Sequence, residues 1–510
     1  MRTEIHTRRR VARFRSGALA VTGWLAMVPA SGVAQVTGGP PVPSTLSLEN
    51  AIRLAERYSP TYRQSANDRN PAGWGVRNAV ASLLLPSVSA NTGVTYSGAG
   101  QQRFLTSEFS QPSATIGSNY SINLNWQFDG NTLFAPGVQR ASRDATDAGI
   151  EAVRMSVRNQ VVQQYLSVLE ADAQVDIQER QVSRNEENLR LARAQFEVGQ
   201  RTTLDVRQAE VAKGQADVEL VQARQAVLVE RLRLFQTLGI PAPTDPTVVA
   251  IVDAFPIVAP DWQLEALLAM ALDDNPDLNS LRAGESSART REKATKGQWL
   301  PSLNFSAGWS GFTQQFTNGD FLVDQARAQA TGQVASCQQQ NAINVVAGLP
   351  QADCTQFAFT PELADQVRAG NSGFPFNFSR QPFSARVTIS LPIFDQFSRN
   401  LRISQASAAT DDAREQRRAR ELQVRTDVSA QHYALIAAYQ TITIQEANRS
   451  SAREQLRLAQ ERYRLGSGTF FELLDAQVVA EQAEVDYVKA VYAYHRSSAN
   501  LEAAVGRPLR

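Results

Sequence analysis

The stretch Ala194-Gln-Phe-Glu-Val-Gly199-Gln-Arg-Thr202-Thr-Leu-Asp205 returns later in the chain as Glu461-Arg-Tyr-Arg-Leu-Gly466-Ser-Gly-Thr469-Phe-Phe-Glu472. In each copy a run rich in Ala, Gln, Glu, Arg and Leu stops at a glycine, and a threonine follows shortly after. Glycine supplies the left-handed backbone that ends a helix, and a threonine hydroxyl accepts from the free N–H groups that open the next. Both stretches therefore read as the reversing turns of helical hairpins.

Two further pairs recur in the same order. Gln127-Phe128-Asp129 answers Ile393-Phe394-Asp395, and the step from Phe128 to Phe394 equals that from Gly199 to Gly466 to within a single position. Leu85-Pro86-Ser87-Val88 answers Leu300-Pro301-Ser302-Leu303. Three matches in the same order, two of them at one offset to within a position and the third shifted by the extra length of the second copy, mean an internal duplication. The first repeat spans residues 46–260 and the second 261–510. The copies differ at one place: the stretch from Pro301 to Phe394 is more than twice as long as that from Pro86 to Phe128. The extra length falls within 313–382, and an insertion at one point marks a surface loop.

Around the turns the chain is helical. No proline occurs from Gly137 to Ile240 or from Ile393 to Arg507. Met155, Val162 and Leu169 fall seven apart, as do Val182, Leu189 and Phe196. Leu435, Tyr439 and Ile442, then Leu474, Val478, Val485, Val488 and Tyr492, keep a comparable spacing, which is that of a packing seam. The hairpins are expected over 134–238 and 397–505. A helix from Ala135 to Val198 would be about 95 Å long.

Before each hairpin come two runs of strict alternation, at 87–98 and 118–129 and again at 302–312 and 383–394. Tyr120, Ile122, Leu124, Trp126 and Phe128, for example, alternate with Ser121, Asn123, Asn125 and Gln127. Period two gives one apolar and one polar face, and roughly 10 residues cross a bilayer in a tilted barrel. A soluble sandwich is the plainer alternative, but four strands parted by long helices make a poor one. Four strands cannot close a pore either. Three chains would give twelve, so the strands demand an oligomer.

Residues 1–34 read as a secretory leader: a basic start containing Arg8, Arg9, Arg10, Arg13 and Arg15, an apolar run over Gly17–Pro29, and small residues at Gly32-Val33-Ala34. A membrane anchor is the alternative, but the run is too short to span comfortably. Removing those residues takes away six arginines and Glu4, moving the net charge from +1 to −4. That balance excludes a nucleic-acid partner. Cys337 and Cys354, near one another in a Gln/Ala-rich stretch read as irregular, suit a loop-closing disulfide in an oxidising compartment, with two free thiols as the alternative. His432 and His495 have no partner ligands nearby, so no metal or cofactor is expected, and no phosphate loop or triad suggests catalysis.

Duplicated halves, Leu-Pro-Ser before a strand, and the turns Val198-Gly199…Thr202…Asp205 and Leu465-Gly466-Ser467-Gly468-Thr469 together resemble the TolC outer-membrane efflux family over Leu46–Gly506. The resemblance implies a mostly helical protein with β-strands. It forms a homotrimer with a twelve-stranded barrel in outer-membrane lipid, continuing into a periplasmic helical barrel. The implied function is the passive exit duct of an efflux or type I secretion system, joined through a periplasmic adaptor to an inner-membrane transporter. It places insert 313–382 outside the cell and the unlipidated branch nearest, since no cysteine follows the leader. It makes Val198, Gly199, Thr202, Leu465, Gly466, Gly468 and Thr469 adaptor-docking tips. Tyr463 and Asp205 match a pair linking neighbouring coils at the closed mouth, and Glu472 and Asp475 match two acids ringing it. Two solvated helix-face acids are the plainer alternative. One departure stands out: the basic residue of the second turn is Gly468 here, and Arg201 in the first turn is the candidate substitute. A periplasmic adaptor or scaffold without a pore is the competing class. It would account for the hairpins but leaves the four amphipathic strands unused.

Overall fold

A computed structural model of the chain describes residues 44–104, 107–111 and 113–509; the leader read at residues 1–34 lies outside them. The first repeat runs β1 (Thr45–Leu46), α1 (Leu48–Tyr58), α2 (Pro60–Asn67), α3 (Arg69–Leu84), β2 (Ser87–Ser97), β3 (Gly100–Phe104), β4 (Ser107–Gln111), β5 (Thr115–Phe128), α4 (Gly130–Glu197) and α5 (Thr203–Leu238). The second runs β6 (Ala250–Ile251), α6 (Leu264–Asp274), α7 (Pro276–Lys296), β7 (Ser302–Phe316), α8 (Gly319–Val346), α9 (Pro361–Gly370), β8 (Ser379–Arg380), β9 (Ser384–Ser390), α10 (Ser398–Arg464) and α11 (Phe470–Val505).

The repeated aspartates explain where the long helices begin. Asp129 Oδ1 accepts from the Thr132 N–H at 2.7 Å, and Asp395 Oδ2 accepts from the Arg399 N–H at 3.0 Å. Each carboxylate satisfies a donor that the first turn leaves free and sits at the positive end of the helix. From there α4 continues for 68 residues and α10 for 67, about 100 Å each. Pro136 falls inside α4, in its second turn, and the helix continues past it.

Strands β2, β5, β7 and β9 form one antiparallel sheet in that order, with β8 also on β7. Ile122 lies opposite Ala90 on one side and Trp309 on the other, while Phe305 lies opposite Val387. One face therefore gathers Val88, Leu124, Trp126 and Ile389, and the other gathers Asn, Ser, Thr and Gln with Arg386, the single charged residue of these four strands. The apolar side is open to solvent in the single chain: Val88 is 66% and Ile389 71% accessible, and the polar residues of β2 and β9 are exposed too. The outer edges of β2 and β9 pair with nothing among the described residues.

The sheet differs in detail from the alternation read in the sequence. β5 starts at Thr115 and β7 runs to Phe316, both beyond the alternating apolar stretch. The last strand is split: Gly311 faces Arg380, whereas Gly308 faces Ser384, one residue out of step. Pro382, which has no N–H to give the ladder, lies in that bulge. The insert is largely helical, not irregular. Cys337 sits within the 28-residue α8 and is disulfide-bonded to Cys354.

Between the repeats, Tyr165 on α4 shares its one hydroxyl hydrogen between Asp253 at 2.7 Å and the Leu46 carbonyl at 3.0 Å, and Tyr494 on α11 donates to the Val258 carbonyl at 2.6 Å. These bonds strap the connecting segment across the helices at mid-height. No helix among the described residues is long and apolar enough to cross a membrane.

Candidate functional site

The two hairpin turns are built alike. Gly199 and Gly466 take φ of +78° and +74°, the left-handed region where a side chain is strained. In the first turn the Gln200 N–H reaches back to the Gln195 carbonyl at 2.8 Å; in the second, the Ser467 N–H reaches the Arg462 carbonyl at 3.0 Å. These bonds satisfy the carbonyls that α4 and α10 leave open. Thr202 and Thr469 then cap α5 and α11, with Asp205 and Glu472 as reciprocal partners in capping boxes. Asp205 Oδ2 accepts from the Thr202 N–H at 3.0 Å, and Glu472 Oε2 from the Thr469 N–H at 3.3 Å. Asp205 and Glu472 thus hold matching places in the two turns, and each carboxylate spends one oxygen on its own helix.

The four helix ends share one core around Tyr463, which is fully buried with Ala192, Ala209, Phe470 and Leu473. Burial raises its phenol pKa, opposed by nearby Arg201 and reinforced by Asp205. The guanidinium of Arg201 lies 4.2 Å over the Tyr463 ring. Its Nη2 donates to the Tyr463 carbonyl at 3.0 Å and the Gly468 carbonyl at 3.2 Å, and Nε donates to Gln195 at 3.3 Å. Arg201 therefore joins the first tip to the second within one chain, and reaches the backbone of Gly468. Asp475 and Glu472 are both exposed along an open groove between α10 and α11, together with Glu454 and Arg462. Arg462 Nη2 is 3.6 Å from Glu472. The docking-tip residues Val198 and Leu465 are highly exposed.

The seam above the tips departs from the sequence reading. Below Ile177, the buried positions in the last third of α4 are Gln178, Gln181, Asn185, Asn188, Ala192 and Gln195, at spacings of three and four. Val182 and Leu189 flank this row, and Phe196 is exposed. Facing it, Gln477 is buried with neither amide atom bonded, and Gln178 donates to Glu481 at 3.1 Å. Burial raises the Glu481 pKa, opposed by the Gln178 hydrogen bond. A seam of amides with unpaired atoms holds its helices more weakly than an apolar one. Among the described residues no three ligating side chains gather as a metal site would require.

A sequence model of the outer membrane efflux protein family matches residues 52–240 and 267–507. The chain belongs to that family. Among solved structures it is similar to a membrane protein from Pseudomonas aeruginosa, at 17% identity and a TM-score of 0.66 over 90% of each chain. It is similar to the outer membrane protein VceC of Vibrio cholerae at 16% identity and 0.63, covering 91% of this chain and 97% of that one. The CmeC outer membrane channel of Campylobacter jejuni gives 16% and 0.65, over 90% and 85%. No curated protein sequence matches. This outer membrane efflux protein is an exit duct of an efflux system, seated in the outer membrane with its long helical tunnel in the periplasm. The family is one of channels and not of enzymes, and membership implies a homotrimer working with an adaptor and a pump.

Proposed function

We propose that three copies share a twelve-stranded barrel by pairing β9 of each chain with β2 of the next, and that their hairpin tips form a gated periplasmic mouth that receives the adaptor. One observation carries this: a four-stranded sheet with two unpaired edges, an exposed apolar face and a polar face. An open edge of this length is a liability until a neighbour covers it. Closure also turns the apolar face to lipid and the polar face to the lumen. A second stripe suits the same assembly: Leu204, Val211 and Val218 recur every seventh residue along α5 and are all exposed.

At the mouth, the Arg201 bridge supports a latch that keeps the two tips of each chain together, while the amide seam above allows them to part. Asp205 and Tyr463 belong to that latch; Glu472 and Asp475 supply two carboxylates per chain, six per trimer, facing a groove open to solvent. Such a ring favours cations and is blocked by multivalent ones. The exposed apolar residues Val198, Leu465 and Phe471 at the tips suit docking of a periplasmic adaptor, through which an inner-membrane transporter drives cargo.

Cysteines at Val88 and Ile389, on the two open edges near the periplasmic end of the sheet, test the assembly. Oxidation is expected to give a covalent ladder ending at three chains. A ladder that stops at two, or runs past three, overturns the shared barrel.

A further inference from the structure

The last part of the insert, Asn371-Ser-Gly-Phe-Pro-Phe-Asn-Phe-Ser-Arg380, does not stand clear of the sheet. The Asn371 side chain donates to the Phe316 carbonyl and accepts from the Phe316 N–H, both at 2.8 Å, continuing the edge of β7. The Phe374 N–H donates to Gln315 at 3.2 Å, and the Ser118 hydroxyl donates to the Pro375 carbonyl. The Phe378 ring meets Tyr120 edge-on at 4.9 Å. Gly373 lies so close that an added Cβ would be 3.3 Å from the Gln314 carbonyl.

The side of the sheet is set by the register. Ser118 pairs with Thr313, Tyr120 with Gly311 and Ile122 with Trp309, so all six positions lie on one face, the apolar one. The segment therefore crosses the outside of the wall and not the lumen. Beneath it Ser118 and Thr313 are buried, their hydroxyls 2.9 Å apart, so these two polar groups of the outward face are covered and bonded. Phe376, in the middle of the segment, is left 82% exposed.

Height follows from strand length. Thr313 lies well along β7 from Ser302, about 36 Å along the strand and about 28 Å in height at a tilt of roughly 40°. An outer-membrane barrel carries an apolar band about 25 Å tall with aromatic girdles at both rims. The segment thus falls at the outer rim of that band. Arg380, opposite Gly311 on the same face, is exposed and within reach of head-group phosphates by snorkelling.

We infer that residues 371–380 are a lipid-contacting strap, with Phe376 seated among the acyl chains of the outer leaflet, so that the insert grips the membrane from outside the barrel. This rests on the outer-membrane reading of the sheet. The test uses the full chain with its disulfide kept. A nitroxide is placed at Phe376→Cys, and in a second variant at Ile122→Cys on the mid-height of the same face. Both are reconstituted in phosphatidylethanolamine–phosphatidylglycerol vesicles. Collision with oxygen, which concentrates in lipid, is compared with collision with a water-soluble nickel chelate. The strap predicts both labels oxygen-accessible and shielded from nickel. A label at 376 open to nickel, with 122 shielded, removes the strap and leaves the barrel. Both labels open to nickel removes the outward-facing lipid wall as well as the strap.

Discussion

Replacing Arg201 by glutamine keeps the size and polarity of the side chain roughly constant but removes the charge that ties the two tips together. The guanidinium makes two hydrogen bonds to main-chain carbonyls, one to Gln195, and a contact over the Tyr463 ring. Charge-assisted bonds contribute roughly 1.5–3 kcal/mol each when buried, and a cation over an aromatic ring about 0.5–2 kcal/mol. Arg201 is only partly buried, so water recovers much of this, and about 2 kcal/mol per chain is a fair net loss. That converts to an increase of about 30-fold in the ratio of parted to latched tips. Single-channel recording of the reconstituted trimer reads the change directly, as more frequent and longer visits to high-conductance levels. Arg207→Gln is the control, because that arginine is exposed and its ion pair is with nearby Glu210 on its own helix, at 2.7 Å. A trimeric Arg201→Gln channel whose conductance and dwell times match the parent would refute the latch.

Other outcomes follow from the same geometry. Glu472→Gln with Asp475→Asn, which keeps an oxygen for the α11 cap, should relieve block by trivalent cations applied from the periplasmic side; unchanged block would leave these acids as ordinary surface groups. Burial raises the Glu481 pKa, so the folded state holds its proton to higher pH than the unfolded chain does, and stability falls as pH rises through the folded value. Glu481→Gln should therefore raise the melting temperature at pH 7, with the gain fading as pH falls through the folded value and absent by about pH 4, and an equal gain at both would contradict the assignment. Cys337→Ser with Cys354→Ser should leave conductance and trimer intact while making the insert more open to protease, since the loop between them loses its tie. The entropy involved is about 3 kcal/mol for a loop of this size, confined to the insert.

What could be read in the sequence was local. The hairpin turns declared themselves because a left-handed glycine and a capping threonine with Asp205 or Glu472 leave a fixed pattern within a few residues. The strands did so because alternation needs no partner. The seam was harder: Val182, Leu189 and Phe196 have the right period, but the helix buries the neighbouring row of Gln and Asn. Period alone does not say which of two adjacent rows faces inward when both faces of a tunnel helix are destined for contact. Arg201 carried a hint, as a basic residue inside the first turn where the second has only Ser and Gly, yet its bonds reach from one repeat to the other and no local pattern encodes them. The strap was hidden for the same reason. Phe374, Phe376 and Phe378 alternate like a strand, but only the register of β5 against β7 shows which face they cross.

The most direct test of a shared pore is the current through detergent-purified protein in a planar lipid bilayer. Three chains closing one barrel above a latched, acidic mouth predict small, long-lived, cation-selective steps. A protein that remains in solution without detergent and never raises the membrane's conductance would contradict the account.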